Sequence, residues 1–154
     1  MTTAVQIIKK KVQNFPSLVL PRHEFPYILE TNASNKVWAG FFMQKHARRE
    51  EFFSYASRCF NDTKLRYPSS HKEILAVKNG IKRFRLFLNP LRFIIRTDLK
   101  HMVGMLRNEI VLEQGSNRIL IWSLCLDVFD FEIEYKKGKY NFLADMFTRE
   151  ATPK

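Results

Sequence analysis

The chain has 154 residues, 45% hydrophobic and 14% aromatic with 14 Phe, which fits one domain with a packed core and excludes a disordered chain. Lys and Arg number 26 against 15 Asp and Glu, a net charge of +11 that favours polyanionic partners, nucleic acid first. No apolar run reaches the ~18 residues of a membrane span, Cys59 and Cys125 are too few for a disulfide framework and read as buried or free thiols, and the four His lack zinc spacing.

In chain order, residues 3–14 suit a short basic helix. Phe15–Phe25, with Pro16 and Pro21 and Pro26 at its edge, reads as an extended lead-in. Tyr27–Thr31, Val37–Gln44 and Glu51–Ser57 are β-prone, and the charged stretch Lys45–Glu50 reads as a hairpin connection, so a three-stranded meander is expected. A helix follows. Ser70 and Glu73 have capping-box spacing, Ile74, Val77, Ile81, Phe84 and Leu88 recur at helical intervals, and Asn89-Pro90 ends the run. Leu91–Thr97 is a strand, Leu99–Leu106 and Asn117–Asp127 are helical, Val128–Tyr135 alternates as a strand, and Asn141–Arg149 closes as a short helix. This order predicts an α/β fold: a mixed sheet with helices packed on it.

Three carboxylates occupy positions where charge is costly. Asp98 stands where an apolar strand leaves the sheet, a usual place for ligand-binding groups, and equally the N-cap position of the next helix. Glu73 falls within about 60° of the centre of the apolar stripe, leaning toward the sheet, unless it folds back on Ser70 as a cap. Asp145 sits in the apolar run Phe142–Phe147, where a solvated edge residue is the simpler reading. Glu30-Thr31-Asn32 echoes Arg96-Thr97-Asp98: a charged residue, Thr, then Asn or Asp, ending a strand. If those strands are parallel neighbours, their terminal side chains share a pocket. Clustered carboxylates repel and need a cation, and oxygen ligands suit Mg²⁺ or Mn²⁺. Spacing suggests this chemistry without establishing it.

The ordered motifs Leu29–Ser34, Phe53–Ser57, Arg66-Tyr67-Pro68, Lys72–Val77, Phe84–Leu88, Ile95–Asp98 and Leu143-Ala144-Asp145 resemble RNase H domains of plant pararetroviruses of the caulimovirus, badnavirus and tungrovirus type, with gypsy-like LTR retrotransposons similar. The resemblance covers residues 8–150, nearly the whole chain. It implies a five-stranded mixed sheet with helices on both faces, residues 1–24 being a basic lead-in and 25–151 the RNase H domain. It also implies cleavage of the RNA strand of RNA·DNA hybrids by two Mg²⁺ or Mn²⁺ ions held at Asn32, Glu73, Asp98 and Asp145. Ser34, Arg48, Arg49, Arg85 and Lys100 become candidate substrate contacts, as do Lys9–Lys11, Lys82, Arg83 and Lys136–Lys139, each of which equally suits a solvated surface charge.

The implied partners are the hybrid and the polymerase domain of the same polyprotein, in host cytoplasm or virus particle, with no membrane and a monomeric isolated domain. Trp38 and Trp122 read as core residues rather than stacking platforms. Three departures stand out: Asn32 where the family has Asp, Leu99 where it has a polar residue, and no His after Asp145. A neutral amide bridges two cations poorly, so weakened metal binding and lost or nearly lost hydrolysis are expected, with hybrid binding kept. A substitution made to trap substrate is favoured over a decayed copy because the other positions are intact. The competing readings are a non-catalytic module supporting a polymerase and an integrase-type strand-transfer core. Three retained acidic positions argue against the first, and the early helix Glu against the second.

Overall fold

The computed structural model describes residues 6, 13, 17–88, 91–106 and 117–137. Five strands, β1 (Tyr27–Ala33), β2 (Val37–His46), β3 (Arg49–Cys59), β4 (Phe93–Thr97) and β5 (Phe131–Tyr135), form one sheet in the order β3-β2-β1-β4-β5. β1 and β3 pair antiparallel with β2, while β1–β4 and β4–β5 are parallel, so the sheet is mixed as expected. Helices are α1 (Asp62–Leu65), α2 (Ser69–Leu88), α3 (Met102–Leu106) and α4 (Asn117–Leu126).

The meander forms because β2 is buried along nearly its whole length, through Val37, Trp38, Phe41, Phe42 and Met43. Its turn is tighter than the charged stretch suggested: β2 runs to His46 and β3 starts at Arg49, with Ala47 at φ 53°. A bulge at Phe42/Met43 shifts the register with β3.

Helix α2 lies on the sheet through Ile74, Val77, Ile81, Phe84 and Leu88, the five positions its periodicity predicted. Burying each is worth about 1.5–3 kcal/mol, more than any propensity term along the helix. Phe42 stacks between Tyr27 (5.2 Å) and Phe84 (5.4 Å), which holds α2 over β1 and β2. Gly80 permits the close approach: a methyl group there would meet both Leu29 methyls and Thr31 Cγ2 at 3.2 Å. Residues of α3 and α4 complete this core, Trp122 among them, and Trp38 joins from β2. A second, smaller cluster, Ile28, Ala39, Phe41, Met43 and Phe52, lies apart from it.

Helix α3 begins at Met102, later than expected, because residues 99–101 form a turn in which Met102 N–H donates to Leu99 C=O. The four-residue α1, capped by Asn61 accepting from Lys64 N–H, had no apolar period to announce it. The lead-in is strapped to the sheet. Val19 N–H donates to Phe52 C=O, and the buried Gln44 bonds the backbone of Arg22 and Phe25. Cys59 and Cys125 are free thiols, both exposed. The helix expected over 141–149 lies outside the described residues, as does nearly all of the one expected over 3–14.

Candidate active site

The echo between the two tripeptides has a spatial meaning. β1 and β4 are parallel neighbours in which Glu30 is the register partner of Arg96. Carried on by two residues, that register sets Asn32 beside Asp98 at adjacent strand ends. The first members of each triplet pair with each other: Arg96 Nη1 donates to Glu30 Oε2 at 3.2 Å, with both side chains about 5% exposed. Glu50 (2.7 Å) and Glu134 (3.5 Å) also face Arg96, and Lys136 reaches Glu30 at 3.1 Å. This row of charges ties β1, β4 and β5 together just behind the strand ends.

Glu73 enters from α2 and is 9% exposed. Its Oε1 accepts from Ala33 N–H at 3.1 Å, and Asn32 Oδ1 accepts from the same amide at 2.9 Å. The helix starts at Ser69, and the carboxylate points to the sheet rather than back to Ser70, so the capping-box alternative is not the one adopted. Glu73 Oε2 is buried and has no hydrogen-bond partner. Burial, and then the nearby Asp98 carboxylate, push the Glu73 carboxyl up to about 8 against the opposing bond from Ala33. Helix α3 begins four residues after Asp98, and Leu99 N–H is satisfied by Thr97 Oγ1.

Three of the four candidate positions therefore converge: Asn32, Glu73 and Asp98. Asp145 lies outside the described residues. Among the described residues no three His, Cys, Asp or Glu groups form a metal cluster. The residues present still fit a cation: a buried carboxylate oxygen without a donor, beside a second carboxylate, is the environment a hard divalent ion neutralises.

The other candidates scatter. Ser34 closes the β1–β2 turn, its Oγ accepting from Val37 N–H at 3.1 Å and from Lys36 N–H at 3.3 Å. Lys100 is exposed in the turn after Asp98. Arg85 is exposed on α2, about 18 Å from Glu73 at 1.5 Å per residue. Arg48 and Arg49 lie at the far end of the sheet: from Ala39, partner of Asn32, to His46, partner of Arg49, β2 runs about 23 Å.

Sequence reading missed Lys72, which is 5% exposed. Its Nζ donates to Asn35 C=O at 2.8 Å and lies 5.9 Å from the Phe60 ring, pinning the loop after β1 to α2. It also missed Arg118, whose guanidinium lies 3.7 Å from the Tyr67 ring and beside His71 at the start of α2. No local signal marks either one.

Comparison with known proteins agrees with this fold. Residues 1–95 match the family model described as an RNase H-like domain found in reverse transcriptase. The enzymatic polyprotein of Carnation etched ring virus is 35% identical over 145 residues, 94% of this chain and 22% of that protein. The chain thus spans about a fifth of that relative's length. Two solved structures share the fold. The foamy viral protease-reverse transcriptase in complex with RNA/DNA hybrid has a TM-score of 0.66 at 18% identity, over 88% of this chain and 18% of that one. RNase H1 from the halophilic archaeon Halobacterium salinarum NRC-1 has a TM-score of 0.62 at 16% identity, over 82% and 96%. A mixed sheet whose parallel strand ends carry Asn32 and Asp98 against a helix Glu, matched along more than half its length by one family model, makes this chain a member of the RNase H-like domains found in reverse transcriptases.

Proposed function

We propose that this domain is built to cleave the RNA strand of RNA·DNA hybrids during reverse transcription, and that Asn32 leaves this chain inactive or strongly impaired. The observation that carries the reading is the buried Glu73 carboxylate, with one oxygen unpartnered, beside Asp98 and sharing the Ala33 amide with Asn32. Asn32, Glu73, Asp98 and Asp145 would hold two Mg²⁺ or Mn²⁺ ions, which when bound supply water activation and stabilisation of the leaving 3′ oxygen.

The chain's own residues set the limits. With its carboxyl pushed up to about 8, Glu73 ligates a cation only by releasing a proton, so metal binding and ionisation are coupled there. Asn32 carries no charge, its Oδ1 already accepts from Ala33 N–H, and its NH₂ is a donor that cannot ligate a cation. Ser34 and Lys100, at the same end of the sheet as Asn32 and Asp98, would meet the substrate backbone near the site. Arg85 meets it further along α2, and Arg48 and Arg49 only where the hybrid extends to the opposite end.

Residues 1–24 form the lead-in from the polymerase domain and 25–151 the RNase H domain, working as part of a polyprotein in host cytoplasm or virus particle. No helix among the described residues is long and apolar enough to cross a membrane. A second reading, a non-catalytic RNase H-like module supporting the polymerase, is favoured by Asn32 alone. The test is Asn32→Asp with a labelled hybrid in Mg²⁺. Gain of cleavage supports the nuclease reading, and its absence with no preference for hybrid over duplex DNA supports the module.

A further inference from the structure

The turn that joins β1 to β2 is held from outside at three points. Ala33 N–H donates to Glu73 Oε1 on α2 at 3.1 Å. Asn35 C=O accepts from Lys72 Nζ, also on α2, at 2.8 Å. Lys36 C=O accepts from Phe60 N–H, just past the end of β3, at 2.7 Å. Within the turn, Ser34 N–H donates to Val37 C=O at 2.8 Å and Ser34 Oγ accepts from Val37 N–H at 3.1 Å, so the turn is closed on itself and behaves as one unit.

Lys72 differs from the other two points in bringing a charge into the interior. Its side chain is 5% exposed, and among the described residues it forms no ion pair. Its ammonium faces the Asn35 carbonyl and the Phe60 ring, 5.9 Å from Nζ, both of which favour a cation. It stands one residue before Glu73, so the two side chains leave α2 roughly 100° apart. They take the turn by opposite polarities, a carboxylate on an N–H and an ammonium on a C=O. Held to α2 at one point, the turn could swing about it; held at two, it keeps its orientation. The group that swinging would displace is the Ala33 amide, which donates to Asn32 Oδ1 at 2.9 Å and orients Glu73, whose Oε2 has no donor.

We propose that Lys72 is a positioning residue of the candidate cation site. By holding Asn35 it fixes the Ala33 amide, and through that amide the direction in which Glu73 and Asn32 present their oxygens. The inference rests on the nuclease reading and adds to it a residue that touches neither cation nor substrate. Groups that orient ligands in this way typically govern metal affinity by about 10–100-fold.

Two variants test it. Lys72→Met keeps an apolar stem against Phe60 and removes the donor, while Lys72→Arg keeps a charged donor. In the full chain, deuterium exchange of the Ala33 amide is followed by NMR beside that of Ile95, buried in β4, with thermal melting as the folding control. Lys72→Met should speed exchange at Ala33 about tenfold and leave Ile95 unchanged, and Lys72→Arg should stay close to wild type. In the Asn32→Asp background, Lys72→Met should also weaken Mn²⁺ binding about tenfold or more, read by calorimetry. Exchange at Ala33 that is unchanged, or that changes in step with Ile95, overturns the proposal, because Lys72 then only packs. Faster exchange at Ala33 with unchanged Mn²⁺ affinity also overturns it, because the hold on the turn then does not reach the site. An Asn32→Asp chain that binds no Mn²⁺ with Lys72 in place overturns the nuclease reading itself, whatever the exchange shows.

Discussion

Replacing Glu73 by Gln tests the electrostatic core of the site. In the folded chain burial and Asp98 lift the carboxyl from 4.5 to about 8, so between those values the folded state holds a proton that the unfolded chain has released. Stability must then fall as pH rises through this window. The contribution is intact below 4.5 and is lost as pH passes 8. At about 1.4 kcal/mol per unit, the wild type loses on the order of 3 kcal/mol between pH 4.5 and pH 7 that the Gln variant keeps. The assay is urea denaturation of both proteins at several pH values, plotted as a difference, which cancels titrations elsewhere. Mn²⁺ should flatten the wild-type slope by favouring the ionised carboxylate, and its own affinity should rise about tenfold per pH unit below 8. A difference curve that is flat from pH 4.5 to pH 8 refutes the reasoning, because the carboxyl would then be as easily ionised folded as unfolded.

Other consequences are simpler to measure. Arg96→Ala leaves the buried Glu30 with Lys136 as its remaining partner and should cost about 3 kcal/mol in chemical denaturation, the low end for a broken buried pair. Arg92→Ala, which removes an ion pair to Glu132 whose side chains are both more than 60% exposed, should cost under about 1 kcal/mol. Gly80→Ala should destabilise by about 1 kcal/mol, the overpacking against Leu29 and Thr31 outweighing the gain in helix propensity, and calorimetry should show a melting temperature lower by a few degrees. Ala47→Gly relieves a left-handed residue in the β2–β3 turn and should raise stability by about 0.5–1 kcal/mol.

Much of the fold was legible because its signals are local. The apolar period of α2 and the β-rich runs Tyr27–Thr31 and Val37–Gln44 each carry their own pattern, and each element formed where expected, within a few residues. Boundaries slipped where a single hydrogen bond decides them, as at Met102, where a turn replaced the first part of the expected helix. α1 stayed hidden because it buries nothing. The strap made by Gln44 was invisible for another reason: its partners, Arg22 and Phe25, are backbone groups with no sequence signature.

At the site, the sequence alone determined which residue types were available: two strand-ending triplets, a Glu near an apolar helical stripe and a neutral amide at position 32. Those follow from order and spacing along the chain. Only the tertiary structure decided that β1 and β4 run parallel side by side, that Glu30 and Arg96 neutralise each other, and that Gly80 lets α2 sit close enough for Glu73 to reach Ala33. Those contacts join residues 40 or more positions apart, where no local propensity acts. The upward push on the Glu73 carboxyl likewise comes from its burial and its neighbour Asp98, not from its place in the chain.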